Sequence, residues 1–439
     1  MAMSATPPAR MRSGRALAIA AGAFVVALAA YLTDMAVHPL PDMMTWYDLR
    51  IYNNAGLLVR EFPAMLYRWR YIKFTYTPFA ALIFAGTSWL PWAVLKWLMT
   101  LASLAALVAT AWLTFGGLGW RGRSRAAATF GVCAAGLWTE PVQRALHLGQ
   151  IELVLMALIA WDLCQSDQRR WKGAGIGLAA GIKLVPLIFI PYLILAGKLR
   201  QAAVAAAMFA IAAAVGFAFL PGASVKWWLS GYFLNSGNVG GVGSLANQSV
   251  LGMIIRADGS LGAATPLWFA VAAPITLLGL IAAAMLHRSG QPVAGWLVCA
   301  LTGVLVSPIS WDHHWVWIVP VLAVLTDAAV RARGTAAPAW RASAWRAPAW
   351  WALAGAVTAI YGGWPHFWTG GRAFTPDGLL GFLAARPGVN AYHLHGIQVI
   401  SWNLFVFAGL VMFAFSLVAA ARSWQAERAS PGEHDMPVA

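Results

Sequence analysis

The sequence predicts an all-α integral membrane protein, a polytopic helical bundle of about 12 spans. Three observations lead to this fold class. Hydrophobic residues make up 60% of the chain and charged residues only 10%, a balance that a water-soluble domain of 439 residues does not show. Long apolar runs follow one another, and short basic segments separate them. Tryptophan reaches 25 residues, many of them near the ends of those runs, as is typical of membrane interfaces.

The apolar runs define the order of the elements. They lie near 16–36, 92–115, 126–140, 150–165, 173–184, 185–197, 202–220, 264–286, 293–308, 314–331, 349–363 and 398–421. A run of about 20 apolar residues is long enough to cross the bilayer. Several runs are shorter, and the pair 173–197, with Lys183 and Pro186 at its middle, predicts a hairpin of two short helices.

The chain begins like the first two regions of a signal peptide. Arg10, Arg12 and Arg15 precede an apolar run that is long enough to span, and no convincing cleavage site follows it. We therefore expect an uncleaved signal anchor with a cytoplasmic N-terminus. The predicted organisation is a cytoplasmic tail over 1–15, a single transmembrane domain over 16–423 and a disordered cytoplasmic tail over 424–439.

The positive-inside rule predicts which loops face outward. If the stretch 74–90 crossed the bilayer, the basic loop 121–125 would face outward, so we expect that stretch to be half-embedded. The longer, charge-poor segments on the outer side are then 37–91, 221–263, 309–313 and 364–397. The first of them is expected to be helical and to carry the functional acid, whereas the role of the last stays open.

Composition and spacing exclude several function classes. The net charge of +15 could suggest a nucleic-acid partner, but the cations sit in short clusters between apolar runs, so none is expected. Cys133, Cys164 and Cys299 lie within apolar runs without metal-ligand spacing, which supports neither a disulfide framework nor a zinc site. No metal or cofactor is expected. The basic, Trp-bearing loop 338–346 favours anionic membrane lipid as a partner.

Two charged residues are the strongest candidates for function. Asp48 directly follows the first apolar run in a chain with only 15 carboxylates. An ionised acid near hydrocarbon is costly unless it is hydrated, paired or functional, although Asp48 could also cap a helix or pair with Arg50. Lys183 lies in the middle of the apolar hairpin and is most simply a phosphate partner.

Further polar residues fall on the same predicted side of the membrane. They are Arg50, Tyr52, Lys73, Tyr76, Gln150, Glu152, Asn247, Gln248, His313 and His314. The His pair could be structural, since adjacent residues on a helix point about 100° apart. Asn247 and Gln248 could simply close turns in a Gly-rich loop.

The chemistry of this set indicates a ligand. One acid, several cations and several neutral hydrogen-bonding groups suit a phosphate beside a polyhydroxyl group, as in a lipid-linked sugar. A positioned carboxylate can accept the proton of an attacking hydroxyl. The sequence has no nucleotide-binding loop, so soluble nucleotide sugars are not expected donors. A proton-coupled transporter or lipid-linked sugar flippase that uses Glu152 and Lys183 is the alternative.

Seven short motifs stand in order between about residues 47 and 317. They are Tyr47-Asp48-Leu-Arg-Ile-Tyr52, Leu66-Tyr67, Phe74-Thr-Tyr76-Thr-Pro78-Phe79-Ala80, Gly149-Gln150-Ile-Glu152-Leu, Gly177-Leu-Ala-Ala-Gly-Ile-Lys183, Asn247-Gln248-Ser249 and Ser307-Pro-Ile-Ser-Trp311-Asp-His313-His314. This order resembles glycosyltransferase family 87, the actinobacterial polyprenyl-phosphate-mannose-dependent α-mannosyltransferases that include those extending phosphatidylinositol mannosides.

The resemblance implies the C-type glycosyltransferase architecture in the plasma membrane, with the active site on the extracytoplasmic face. It implies an inverting transfer of mannose from polyprenyl-phosphate mannose to a glycolipid, such as a phosphatidylinositol mannoside, or to an envelope glycan. A related enzyme of this layout could use lipid-phosphate arabinofuranose instead. The lipid-linked sugar is a co-substrate, so no separate cofactor is implied.

Site roles follow from the same resemblance. Asp48 matches the general base. Lys183, His313 and His314 match positions expected near the donor phosphate or sugar, and we add Lys73 and Tyr76 to the donor side. Those expected at the acceptor or elsewhere in the site are Arg50, Tyr52, Gln150, Glu152, Asn247 and Gln248. The chain departs from the family with Thr77 where proline is common and with Glu152 where asparagine is common, and the latter carboxylate implies a different choice of acceptor.

Overall fold

The structure is a computed structural model that describes residues 13–37, 45–68, 73–235, 238–334, 346–363, 376–384 and 392–429. Within these ranges it has nineteen α-helices and no β-strand, so the all-α prediction is confirmed there. The first ten are α1 (Ser13–Val37), α2 (Tyr47–Glu61), α3 (Pro78–Thr87), α4 (Trp92–Gly117), α5 (Gly122–Gly136), α6 (Glu140–Leu148), α7 (Glu152–Leu163), α8 (Ala174–Ile182), α9 (Phe189–Leu195) and α10 (Leu199–Phe219). The others are α11 (Pro221–Ser224), α12 (Val250–Asp258), α13 (Leu261–Arg288), α14 (Pro292–Val306), α15 (Ile318–Gly334), α16 (Arg346–Ile360), α17 (Gly378–Ala384), α18 (Ile397–Ser401) and α19 (Leu404–Ala429).

The number of spans differs from the prediction. In the described ranges six helices are long and apolar enough to cross a membrane: Gly14–Val37, Trp92–Gly117, Leu199–Phe219, Leu261–Arg288, Asp312–Arg333 and Leu404–Ala426. The pair α6 and α7, bent by 116°, makes a seventh if it forms one broken span. The predicted count of about 12 is therefore not confirmed. Apolar runs such as Val185–Leu195 and Pro292–Val306 form helices of 10–17 residues, which are shorter than the hydrocarbon core is thick.

Other expectations about the elements can be compared directly. The stretch expected to be half-embedded contains α3, whose 10 residues are too few for a full crossing. Two short helices, α8 and α9, lie on either side of Lys183, and a 3-10 turn at Val185–Ile188 joins them. The tail predicted from residue 424 instead continues α19 as far as Ala429. Residues 1–12, 364–375, 385–391 and 430–439, which include parts of the predicted tails and of the last outer segment, lie outside the described residues.

A row of glycines lets α8 approach α10 closely. Gly173, Gly177 and Gly181 are spaced four residues apart, so they share one face. A Cβ atom on Gly177 would lie 2.2 Å from the carbonyl oxygen of Ala205 in α10, and one on Gly181 would lie 2.5 Å from the Cβ atom of Ala212. Small residues at such a spacing are typical of helix contacts in membranes. This contact fixes the end of α8, where Lys183 follows.

Three further contacts bring separate parts of the chain together. Helix α2 packs on α3, α7 packs on α8, and α6 packs on the 3-10 helix Asp312–Trp317. The first loop after α1, the corner between α6 and α7, and the segment before α15 therefore surround one space.

Candidate active site

A cavity of about 650 Å³ opens where these elements meet. It is bounded by the start of α2, the end of α6, the residues after α8, and the loops 238–246 and 309–314. Seven residues that the sequence predicted as site residues line it: Asp48, Lys73, Tyr76, Gln150, Lys183, His313 and His314. The structure thus brings together side chains that lie as much as 266 residues apart, from 48 to 314.

Asp48 is placed by a tight contact between two chain turns. Trp46 precedes α2 in the left-handed region, with φ at 62°, and its backbone N–H donates to the carbonyl of His147 at 2.8 Å. Gly149 ends α6 with φ at +66°, and a Cβ atom there would lie 2.8 Å from the Cβ atom of Leu49. Only glycine fits this conformation and this space without strain. The contact sets the first turn of α2 beside Gln150.

A short hydrogen-bond network orients the acid. The hydroxyl of Tyr52 donates to Gln150 Oε1 at 2.6 Å, and that of Tyr76 donates to the same oxygen at 3.1 Å. Because this oxygen accepts both hydroxyls, the amide nitrogen of Gln150 is the group that donates to the Asp48 carboxylate. Tyr52 itself is buried and does not line the cavity.

The Asp48 carboxyl keeps part of its surface open to the cavity, and protein surrounds the rest. This burial raises the pKa of Asp48 above its ordinary value of 3.8. The charges of His313 and Lys183 and the hydrogen bond from Gln150 lower the pKa but do not cancel the effect of burial. A carboxylate with a raised pKa is a stronger base than an exposed aspartate.

Lys183 lines the cavity and forms an ion pair with Glu152. Its ammonium group donates to Glu152 Oε1 and lies 2.9 Å from His314 Nε2. His314 Nε2 is in turn 3.3 Å from the same Glu152 oxygen. The ammonium also lies 5.4 Å from the centre of the Tyr76 ring. Glu152 does not line the cavity, so its carboxylate acts on the site through Lys183 and His314.

Two charged residues that the predicted site omitted, Arg144 and Asp312, also line the cavity. Their side chains are 5% and 1% exposed, and Arg144 Nε lies 3.7 Å from Asp312 Oδ2. The other Asp312 oxygen accepts from the backbone N–H of His313 at 2.8 Å and lies 3.2 Å from its Nδ1. Arg144 lies on α6 with Glu140, Gln143 and His147, so the signal that could have found it is this short polar segment between two apolar runs.

Besides Tyr52 and Glu152, three predicted site residues do not line the cavity. Asn247 is fully buried; its side chain donates to the carbonyl of Val242 and accepts from the N–H of Ser310. Gln248, equally buried, donates to the carbonyls of Leu245 and Trp402. Arg50 is exposed, and its guanidinium lies 5.6 Å from the centre of the Trp92 ring. The contacts of the two amides stabilise the loops around the site. None of the three side chains lines the cavity, so the structure gives no support to their expected site roles.

The departure at Thr77 has a structural counterpart. Its hydroxyl accepts from the N–H of Ala80 at 3.1 Å and so caps α3, and it donates to the carbonyl of Gly181. A proline at this position could make neither bond. The threonine therefore links the start of α3 to the chain just before Lys183.

The cavity combines features that suit a lipid carrying a sugar phosphate. One acid with a raised pKa faces Lys183, Arg144 and two histidines, while Leu184, Val185, Trp227, Phe233 and Ile309 give the same cavity an apolar side. Among the described residues, no group of three or more His, Cys, Asp or Glu side chains is placed to hold a metal ion.

Comparisons with known proteins give a consistent result. The family model described as glycosyltransferase family 87 matches residues 74–308. A Mycolicibacterium smegmatis protein named polyprenol-phosphate-mannose-dependent alpha-(1-2)-phosphatidylinositol pentamannoside mannosyltransferase is 31% identical over 347 residues, which are 76% of this chain and 82% of that protein. A Mycobacterium tuberculosis protein of the same name is 31% identical over 303 residues, with 67% and 69% of the two chains covered.

A second Mycobacterium tuberculosis protein, named polyprenol-phosphate-mannose-dependent alpha-(1-2)-phosphatidylinositol mannoside mannosyltransferase, is 30% identical over 318 residues. The match covers 70% of this chain and 73% of that protein. No solved structure matches the chain.

Proposed function

Since the chain belongs to glycosyltransferase family 87, we propose that it transfers mannose from polyprenyl-phosphate mannose to a hydroxyl group of a glycolipid or an envelope glycan. The relatives' names support the donor, and for the acceptor they support a phosphatidylinositol mannoside. The observation that carries the proposal is that Asp48 and Lys183, together with the two histidines, meet in one cavity that has both a polar and an apolar side.

Asp48 is the proposed general base. The acceptor oxygen attacks the anomeric carbon of mannose, and its bond to that carbon forms as the bond between the carbon and the phosphate oxygen breaks. The acceptor proton passes to the Asp48 carboxylate, and the electron pair leaves with polyprenyl phosphate. Attack from the side opposite the phosphate inverts the anomeric configuration. The raised pKa of Asp48 supports this role.

In this mechanism Lys183 is the cation that holds the leaving group, and the neighbouring histidine rings offer it their nitrogen atoms. Lys183 and His314 lie 2.9 Å apart, and both line the cavity with His313. Negative charge on the departing phosphate grows in the transition state, where fixed cations stabilise it most. Arg144 adds a buried guanidinium to the same wall. Tyr76 and Lys73 complete the polar lining on the side of α3.

The location of the reaction is also proposed. With the basic loops in the cytoplasm, the first loop and its Asp48 face outward. The apolar cavity residues near Leu184 and Trp227 support an approach of the polyprenyl chain from within the bilayer. We therefore place the active site at the extracytoplasmic face of the plasma membrane.

A purified, full-length protein in lipid nanodiscs tests the proposal. It is supplied with polyprenyl-phosphate mannose and a phosphatidylinositol mannoside, and the product is identified by mass spectrometry. We expect Asp48→Asn to lower the rate by at least about 100-fold, as for loss of a general base. Asp258→Asn, which changes the exposed aspartate at the end of α12, serves as the matched control and should keep the native rate.

If Asp48→Asn keeps the native rate, Asp48 is not the general base. Transfer from polyprenyl-phosphate arabinofuranose but not from the mannose donor would replace the donor. Counterflow of labelled donor in liposomes, without a new glycosidic bond, would support the carrier instead.

A further inference from the structure

A second cavity, which we call the basic vestibule, adjoins the active-site cavity. Its volume is about 630 Å³, close to that of the first. Its lining residues are Tyr67, Arg68, Lys73, Lys226, Ser230, Gly231, Tyr232, Asn235 and Asn238. Lys73 and Asn238 line both cavities, so the two spaces share a rim.

The charge of the vestibule differs from that of the active-site cavity. Arg68, Lys73 and Lys226 line it, and no carboxylate of the described residues does. Among the described residues, none of these three cations has an acidic side chain within ion-pair distance. In the adjoining active-site cavity, in contrast, Lys183 and Arg144 each have an acidic side chain within that distance. Three unneutralised cations around a concave surface with several hydroxyl and amide groups are a binding site for an anion, and phosphate is the anion that they suit best.

The walls of the vestibule are held by contacts that do not use the cations. The Tyr67 hydroxyl donates to the carbonyl of Tyr76 at 2.8 Å, and the Tyr67 and Tyr232 rings lie 4.9 Å apart. The Asn238 amide donates to the carbonyl of Tyr232 at 3.2 Å. The wall on this side is therefore built together with the Tyr76 edge of the active site, which keeps the two spaces in a fixed relation.

Lys226 lies where lipid headgroups are expected. It is on a single π-helical turn, Val225–Leu229, which follows α11 at the end of the membrane-spanning helix α10. Trp228, two residues further on, is only partly buried, and tryptophan is typical of the membrane interface. A cation at the end of a membrane-spanning helix is well placed to contact the phosphate of a lipid.

We propose that the basic vestibule is the part of the site that binds the phosphodiester of the acceptor glycolipid. This inference rests on the proposed function. The donor phosphate is attached to the carbon that reacts and must therefore lie in the first cavity, beside Asp48 and Lys183. An acceptor phosphate is separated from the attacking hydroxyl by the sugars between them. A second anion site, joined to the first only at a rim, fits that separation.

The test compares two synthetic acceptors that carry the same oligomannoside and the same acyl chains. One is a phosphatidyl oligomannoside and the other a diacylglycerol oligomannoside without phosphate. The full-length protein is held in nanodiscs of neutral phosphatidylcholine, which removes other anionic lipids. Equilibrium binding is measured without donor, and acceptor KM and kcat are measured with polyprenyl-phosphate mannose.

We expect Lys226→Gln and Arg68→Gln each to weaken binding of the phosphatidyl acceptor by about tenfold and to raise its KM with little change in kcat. Binding of the neutral acceptor should not change. Lys226→Arg keeps the charge and should restore most of the affinity. Arg123→Gln removes an exposed cation that the whole of α5 separates from the site, and it should change neither acceptor.

Equal effects of Lys226→Gln on both acceptors, or an effect on donor KM alone, would overturn the vestibule assignment while leaving the transferase reaction in place. Loss of charge-dependent binding when phosphatidylglycerol is added would assign the vestibule to bulk anionic lipid and would also overturn it. If no mannose is transferred but the phosphatidyl acceptor still binds through Lys226, the reaction fails and the vestibule stands.

Discussion

The active-site wall and the group of residues behind it are both polar and buried, but they differ in whether their polar atoms have hydrogen-bond partners. In the wall, Asp312 Oδ2 and His313 Nε2 have no hydrogen-bond partner among the described residues. Behind it, Asn247, Gln248, Arg256 and Asn403 form a group that we call the brace. The brace side chains are at most 1% exposed, and their polar atoms bond to one another or to the backbone.

The difference separates two uses of a buried polar residue. A group whose hydrogen bonds are all made inside the chain stabilises a loop and has nothing to offer a substrate. A buried polar group without a hydrogen-bond partner carries a desolvation cost, and a ligand in the neighbouring cavity can relieve that cost by bonding to it. Variants of the two regions should therefore fail in different assays.

The largest effect is expected at Lys183. Lys183→Met keeps most of the side-chain length but removes the cation proposed to hold the leaving group, and we expect kcat/KM to fall by about 100-fold or more. The matched control is Lys172→Met, which changes a lysine of similar burial that donates to the carbonyl of Gln165 and to Asp167. We expect the control to lower Tm and to leave kcat/KM of the folded protein unchanged. A similar fall in kcat/KM for both lysines would contradict the specific role of Lys183 in the site.

Gln248 in the brace should show the reverse pattern. Gln248→Leu leaves the carbonyls of Leu245 and Trp402 and the N–H of Phe405 without their partner. Each buried unpaired group costs about 1 to 3 kcal/mol, so Tm in detergent should drop by several degrees. The rate per folded molecule should persist. Gln291→Leu, at an exposed glutamine, should change neither quantity, and a selective loss of kcat in Gln248→Leu would instead assign the residue to the site.

The pH dependence gives a smaller, more specific effect. Asp48 must be ionised to act as a base, and its pKa lies above 3.8, so log kcat/KM should fall as the pH drops through that raised value. The hydrogen bond from Gln150 stabilises the ionised form and lowers the pKa. Gln150→Leu should therefore move the acid limb to higher pH. A limb that stays in place, or one that moves to lower pH, would mean that another group controls it.

Much of the site could be predicted because its residues are chemically expensive in a membrane. Asp48 and Lys183 stood out by the cost of their charge, and the motif order placed His313 and His314 with them. Sequence could not show that the amides of Asn247 and Gln248 bond inside the chain, because that depends on backbone atoms some 60 to 150 residues away. The sequence also could not separate helices that cross the whole membrane from short apolar helices such as Pro292–Val306, because both kinds have similar hydropathy.

The pairing of Lys183 with Glu152 bears on how the enzyme behaves between turnovers. A phosphate that contacts Lys183 has to share it with a carboxylate that is already bound there. The resident acid competes with the incoming donor, and it competes equally with the spent polyprenyl phosphate. We therefore expect Glu152 to weaken both complexes and to hasten departure of the product lipid, so that the carboxylate serves as an exchangeable counterion that resets the site for the next cycle.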